Sequence, residues 1–136
     1  MRKGRFNQPS SEVARRFSES ISFDRRLYRY DIAGSIAHAS ALAAAGIVTA
    51  EEQQKISDGL REIEQEIECG KFAWDESLED LHMNIEAALT KRIGESGAKL
   101  HTARSRNDQI ALDLRLYVKA EISEVLGRVR GLQIAL

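Results

Sequence analysis

The sequence predicts an all-α protein, and three observations support this prediction. Apolar residues recur at spacings of three and four along most of the chain, as they do on one face of a helix. Thr49–Glu52 and Ser105–Asp108 have the spacing of a capping box, which marks a helix start. Glycines at positions 46 and 70 follow periodic segments, and glycine commonly ends a helix.

Composition and charge exclude several classes of protein. The 136 residues are 43% hydrophobic and 30% charged, which is typical of one soluble globular domain. A formal net charge of −1 gives no support to binding of nucleic acid or of an acidic membrane. The uncharged stretch 32–50 is rich in alanine and serine, so it favours a helix with small side chains over a membrane span. The single cysteine, Cys69, excludes an internal disulfide and agrees with a reducing cytosol.

The first half of the chain predicts three helices. An extended lead-in through residue 10 precedes a short helix that ends at Phe17, whose ring we expect to anchor it. Residues 18–24 carry alternating hydroxyls and no helical stripe, which predicts a loop. A helix over residues 25–45 follows, and the third helix begins at the Thr49 capping box. Its apolar stripe consists of Ile56, Leu60, Ile63 and Ile67.

The second half predicts two more helices. Residues 71–77 form a connection whose two aromatic side chains we expect to pack on the core. The next helix has a buried side from Leu78 to Ile93, and the glycines at 94 and 97 end it. The last helix runs from Arg106 to Leu136, about 45 Å, which is too long for a domain of this size to cover. Its nearly heptad apolar seam, which predicts further helical partners, comprises Ala111, Leu114, Val118, Ile122, Val125, Val129, Leu132 and Leu136.

A candidate binding site lies where this last helix begins. The free N–H groups of a helix N-terminus carry partial positive charge, and Lys99, Arg104 and Arg106 add full charges. Such a site suits a carboxylate or a phosphate, and Asn107 and Thr102 add donors that can orient it. The residues alone equally allow an ordinary capped helix with exposed arginines.

Other polar residues are candidates for a structural or a functional role. Asp80 and His82 belong either to an acidic first helical turn or to a carboxylate–imidazole pair that orients polar substrate groups. Ser20 alone favours a helix cap. His38 has no second histidine at metal-binding spacing, so we expect it to pack or to lie at the surface. The sequence has no phosphate-binding or dinucleotide-binding glycine motif, which predicts chemistry without cofactor or metal.

Several motifs together resemble a known family. The string Leu100-His101-Thr102-Ala103-Arg104-Ser105-Arg106-Asn107-Asp108-Gln109 closely resembles the signature of the argininosuccinate lyases, which belong to the fumarase/aspartase superfamily. The family's order and spacing also match Gly4-Arg5-Phe6, Ser20-Ile21 with Phe23-Asp24, Asp31-Ile32-x-Gly34-Ser35 and Glu79-Asp80-Leu81-His82. One departure is Ala103, where the family more often has glycine.

The resemblance implies a fold and an activity. The fold would be an all-α, N-terminal helical domain of the fumarase/aspartase type over residues 1–104, followed by the first part of a long central-bundle helix over 105–136. The activity would be the reversible β-elimination of argininosuccinate to arginine and fumarate. Ser20, Ser105, Arg106 and Asn107 would bind the substrate, and Asp80, His82 and Thr102 would border the active site.

The resemblance also implies partners and a location. It predicts a cytoplasmic homotetramer that uses no cofactor, with its proton-transferring groups downstream of residue 136, so that this chain alone would be inactive. The expected ligands are argininosuccinate, fumarate and arginine, with neither nucleic acid nor membrane as partner. The alternative is a helical oligomerisation or structural module, because lens crystallins share this scaffold and the resemblance alone does not guarantee activity.

Overall fold

The computed structural model describes residues 11–136, and every regular element in that range is helical, which confirms the all-α prediction. Helices α1 to α4 span Glu12–Ser18, Ile21–Asp24, Tyr28–Ala44 and Ala50–Glu68. Helices α5 to α7 span Leu81–Ile93, Glu95–Ala98 and Arg106–Ala135. Short 3-10 turns cover Arg25–Leu27, Glu76–Leu78 and Lys99–His101. The predicted lead-in through residue 10 and the Gly4-Arg5-Phe6 motif lie outside the described residues.

Local hydrogen bonds account for the ends of the predicted helices. At the start of α4 the Glu52 N–H donates to Thr49 Oγ1 at 3.1 Å, and the Thr49 N–H donates to Glu52 Oε2 at 3.0 Å. This reciprocal pair satisfies two donors that the helix itself leaves free. Beyond the ends of α3 and α4, Gly46 and Gly70 have φ angles of 70° and 66°, a left-handed conformation that suits glycine.

The core lies between α3, α4 and α5. The apolar stripe of α4 is buried as predicted against the apolar residues of α3 and α5, and each fully buried aliphatic side chain contributes about 1.5–3 kcal/mol. Close approach of α4 to α5 depends on Gly59, where an added Cβ would lie 2.8 Å from Leu89 Cδ1. The core residues are Ile21, Ile32, Ala39, Ile56, Leu60, Ile63, Leu81, Ile85, Leu89 and Leu100.

The structure corrects four local predictions. Residues 21–24 form α2 rather than a loop, because the N–H groups of Ser20 and Ile21 both donate to the Glu79 carbonyl, a contact that no local pattern encodes. Helix α5 begins at Leu81, because Asp80 serves as its N-cap. Residues 95–98 form the short helix α6 within the predicted break. Phe17 is 92% exposed and therefore does not anchor α1.

Helix α7 faces the rest of the chain with polar residues and faces solvent with apolar ones. Its first turn contacts α3 through a Gln109–Asp31 hydrogen bond, and its fourth turn contacts α3 through an edge-to-face contact of Tyr117 with Tyr30. The predicted apolar seam is 44–62% exposed from Leu114 to Leu132. This inverted arrangement leaves a long apolar surface without a partner among residues 11–136.

No helix within residues 11–136 combines the length and the apolar character that a membrane span requires.

Candidate functional site

The start of α7 has the geometry of an anion site. Ser105 is the N-cap, its Oγ accepts the Asp108 N–H at 3.3 Å, and its own N–H donates to Asp108 Oδ2 at 2.8 Å. The second bond keeps the pKa of Asp108 below its ordinary value. The N–H groups of Arg106 and Asn107 have no carbonyl partner one turn earlier in the helix, so they are available to an anion. The predicted capping box is confirmed, and it uses the Ser105 hydroxyl only as an acceptor.

Arg106 is the cation at this helix start, and two side-chain hydrogen bonds hold it. One guanidinium nitrogen donates to Glu86 Oε2 at 2.8 Å, and the other donates to Gln109 Oε1 at 2.7 Å. Its Nε lies 4.0 Å from Asp80 Oδ2 at the start of α5. The side chain is 22% exposed, so part of the guanidinium can still meet a ligand. Two sequence-predicted residues on different helices, Arg106 and Asp80, are therefore brought together.

Asp80 connects α5 to this pair. Its Oδ1 accepts the Met83 N–H at 2.6 Å, which leaves Oδ2 facing His82 and Arg106. Burial alone would raise the pKa of Asp80, but His82, the Met83 N–H and Arg106 together hold that pKa below its ordinary value. Asp80 is thus a carboxylate at neutral pH that caps α5 and faces the histidine. Its part in orienting polar substrate groups stays a prediction.

His82 is buried behind Asp80. Its ring is 3% exposed, its Nε2 lies 2.9 Å from Asp113 Oδ2, and its Nδ1 lies 3.7 Å from Asp80 Oδ2. The second distance is too long for a hydrogen bond, so that contact is electrostatic. Burial alone would lower the pKa of His82, but Asp113, Asp80 and Asp31 raise it to about 9. His82 is therefore an internal imidazolium that supports the site from behind.

Sequence reasoning missed a buried polar cluster beneath these residues. Asp31, Gln109 and Asp113 are each at most 4% exposed and join α3 to α7 next to His82. Burial raises the pKa of Asp31, whereas the Gln109 amide and the His82 charge favour its ionised form. A signal existed in the sequence, because Arg106, Gln109 and Asp113 recur at spacings of three and four on a helix face separate from the apolar seam.

The same cluster contains the one trio of potential metal ligands found among residues 11–136. Donor atoms of Asp31, His82 and Asp113 all lie within 4.8 Å of one another. A metal-binding histidine must be neutral, and the raised pKa of His82 keeps its ring protonated at neutral pH. The imidazolium therefore supplies the positive charge that a cation would bring, and the absence of a metal remains a prediction.

Backbone contacts hold Ser20 near the start of α5. Its N–H donates to the Glu79 carbonyl at 2.8 Å, and its hydroxyl donates to Asp24 Oδ2 at 2.6 Å. Asp24 Oδ2 also accepts the Leu81 N–H at 3.4 Å. Ser20 is the residue before α2, but its side chain makes no capping bond, so the expected capping role is not the one that its hydroxyl performs.

Thr102 and Asn107 are solvent-exposed at the same end of the molecule. The Thr102 carbonyl lies 2.9 Å from His38 Nε2, which makes His38 a packed residue as expected. One residue further on, Ala103 has a φ of 60°, a left-handed conformation that costs a Cβ-bearing residue about 1–2 kcal/mol. Glycine adopts this conformation without that cost, which explains physically why glycine suits the position.

The chain matches known proteins over nearly its whole length. Residues 4–136 match the model of a family described as lyase. An argininosuccinate lyase of Azotobacter vinelandii is 56% identical over 130 residues, which is 96% of this chain and 28% of that protein. Argininosuccinate lyases of Pelotomaculum thermopropionicum and Hahella chejuensis are 54% and 53% identical over 133 residues, 98% of this chain. The chain therefore spans less than a third of the length of these relatives, and the resemblance read from its motifs is confirmed.

Proposed function

The chain belongs to the lyase family, and from that premise we propose that it is part of an argininosuccinate lyase, which splits argininosuccinate into arginine and fumarate. The observation that carries the proposal is the start of α7, where free helix N–H groups and the Arg106 guanidinium converge beside Asp80. The division into a helical domain over 1–104 and a bundle helix from 105 belongs to the same proposal.

The chemistry of this elimination explains why such a site is needed. A base removes a proton from the carbon next to a carboxylate, and the carbanion is tolerable only if that carboxylate accepts the extra charge. Donors that are already oriented stabilise this charge most as it develops. Arg106, held by two hydrogen bonds, and the N-terminus of α7 are donors of this kind, and we propose Asn107 as a further donor.

Each proposed residue has a distinct part in the site. Ser105, Arg106 and Asn107 would donate to a substrate carboxylate, Ser105 through the O–H of the hydroxyl that also caps the helix. Ser20 would contact the substrate from the start of α2. Asp80, His82 and Thr102 would border the active site, with Asp80 as the partly buried carboxylate of that edge.

The remaining groups of the reaction are proposed to lie outside residues 1–136. These are the groups that transfer protons, and the proposal includes no cofactor and no metal. The whole protein would be a cytoplasmic homotetramer. Its small-molecule ligands would be argininosuccinate, arginine and fumarate, and it would bind neither nucleic acid nor membrane.

A second candidate is a helical module that assembles without catalysis. The exposed apolar face of α7 favours assembly, and assembly is compatible with either function. A catalytic test therefore has to distinguish them.

The test is Asn107→Ala in an intact lyase that contains this chain. The variant should lose about 2–4 kcal/mol of transition-state stabilisation, which is a fall of about 30- to 900-fold in kcat/KM, because it removes a donor that strengthens as charge develops. Gln54→Ala on α4, an exposed amide that bonds only to Asp58, is the matched control and should keep full activity. Steady-state release of fumarate, followed by its absorbance, provides the measurement. An Asn107→Ala enzyme with near-wild-type kcat/KM contradicts the proposal.

A further inference from the structure

Gln109 lies one turn inside α7, between Arg106 and the buried carboxylate of Asp31. Its Oε1 accepts a hydrogen bond from Arg106 at 2.7 Å, and its Nε2 donates to Asp31 Oδ1 at 2.9 Å. The residue is only 4% exposed, so water does not replace either bond readily. Both ends of one amide are thus in use at the same time.

The two neighbours determine which way this amide points. A guanidinium has donors and no acceptor, so the oxygen of Gln109 must face Arg106. The amino group then faces Asp31, whose carboxyl oxygen accepts it. Rotating the amide by half a turn would set an N–H₂ group against the guanidinium, which leaves both without an acceptor. Asp31 on α3, 2% exposed, therefore fixes the orientation of a cation on α7.

Two residues accept hydrogen bonds from the Arg106 guanidinium, and Gln109 is the buried one of the two. The other acceptor, Glu86, has a side chain that is 36% exposed, and exposed ion pairs of this kind are weak and are screened by salt. The two acceptors hold the two terminal nitrogens of the guanidinium, so together they define its plane. The Nε edge remains directed towards Asp80.

We infer that Gln109 is a positioning residue, which fixes the guanidinium plane of Arg106 so that a substrate carboxylate meets donors that are already oriented. The inference rests on the proposed function above. Gln109 itself touches no substrate and carries no charge, so its loss changes the geometry of the site and not its charge. Misplacement of a binding group by about 1 Å can cost about 10²-fold in rate.

The first experiment compares Gln109→Met with a matched amide variant in an intact lyase that contains this chain. Gln109→Met keeps the side-chain length, and kcat/KM should fall about 10–100-fold while the dissociation constant for fumarate rises. Gln53→Met on α4 removes an amide that donates to Ser57 at 3.0 Å and to Ser40 at 3.5 Å, neither of which bonds to Arg106. This control should change the melting temperature alone, because it has only a structural role.

The second experiment repeats Gln109→Met in an Arg106→Lys background. Lysine lacks the planar fork that Gln109 orients, so in this background Gln109→Met should change kcat/KM by no more than about twofold. An equal fall in both backgrounds would mean that Gln109 acts through general stability, and that result overturns the inference.

The outcomes separate this inference from the proposed function. If Arg106→Lys lowers kcat/KM and Gln109→Met does not, the inference fails and the proposed function stands. If Arg106→Lys leaves kcat/KM and fumarate binding unchanged, both fail. Gln109→Asn, whose amide is one methylene too short to reach both neighbours, carries the same expectations and replaces Gln109→Met if that variant does not fold.

Discussion

Because of the buried imidazolium of His82, the stability of this chain should fall as the pH becomes alkaline. The pKa of His82 is about 9 in the folded chain, against 6.5 for an unperturbed histidine. The groups that face its ring are Asp31 on α3, Asp113 on α7, and Asp80 at the start of its own helix. Arg106, on α7, faces the far side of Asp80. Because the folded chain holds the proton more tightly than the unfolded chain, the stabilisation is complete below pH 6.5 and is lost as pH rises through about 9.

The size of the effect follows from the two pKa values. Each pKa unit corresponds to 1.36 kcal/mol, so the difference between 6.5 and about 9 corresponds to about 3 kcal/mol in the free energy of unfolding. The slope should reach about 1.4 kcal/mol per pH unit in the middle of this range. The raised pKa of Asp31 acts in the same direction, beginning at lower pH, because burial penalises its charged form. His101, whose pKa burial lowers below 6.5, adds little above pH 7.

Urea unfolding at several pH values between 6.5 and 9.5, followed by helical circular dichroism at one protein concentration, measures this effect. His82→Gln should be less stable at neutral pH and should lose most of the slope. His38→Gln, which removes a ring that bonds to the Thr102 carbonyl and not to the buried cluster, should keep the slope. A wild-type chain with constant stability from pH 7 to 9, or the same slope in His82→Gln, would refute this reasoning.

Two further predictions concern packing and assembly. Gly97→Ala should cost about 1–3 kcal/mol, because the new Cβ would lie 2.9 Å from Thr90 Cα, whereas Gly127→Ala, with nothing within 4 Å, should gain about 1 kcal/mol. Urea unfolding of both variants measures this, and a Gly97→Ala chain as stable as the wild type contradicts it. The isolated chain should form dimers through the apolar face of α7, since each side chain contributes about 1.5–3 kcal/mol when buried, and Ile122→Lys with Val129→Lys should prevent this. Sedimentation equilibrium measures the oligomeric state, and a wild-type chain that stays monomeric at tens of micromolar would disprove the predicted dimer.

The exposed face of α7 and its polar inner face have one explanation in common. In the first turns of α7, the inner face carries the polar residues that bond to Arg106 and to His82. The apolar seam from Leu114 to Leu132 is therefore exposed to solvent. The proposed site and the predicted dimer interface therefore lie on opposite faces of α7.

The sequence alone determined the features that depend on neighbours three or four residues away. The capping boxes at Thr49 and Ser105, the stripe of α4 and the extent of α7 were predicted correctly, because each is a hydrogen bond or a packing face within one helix. The motif at the start of α7 likewise identified the family without a structure. The position of the predicted anion site is therefore a local property of the chain.

Only the tertiary structure decided how that site is supported. Gln109 and Asp31 are 78 positions apart, and His82 and Asp113 are 31 apart, so no periodicity connects them. The same holds for α2, whose start is held by the Glu79 carbonyl and not by its own residues. A buried polar group is stable only beside a particular partner, and which partner it meets depends on how whole helices pack.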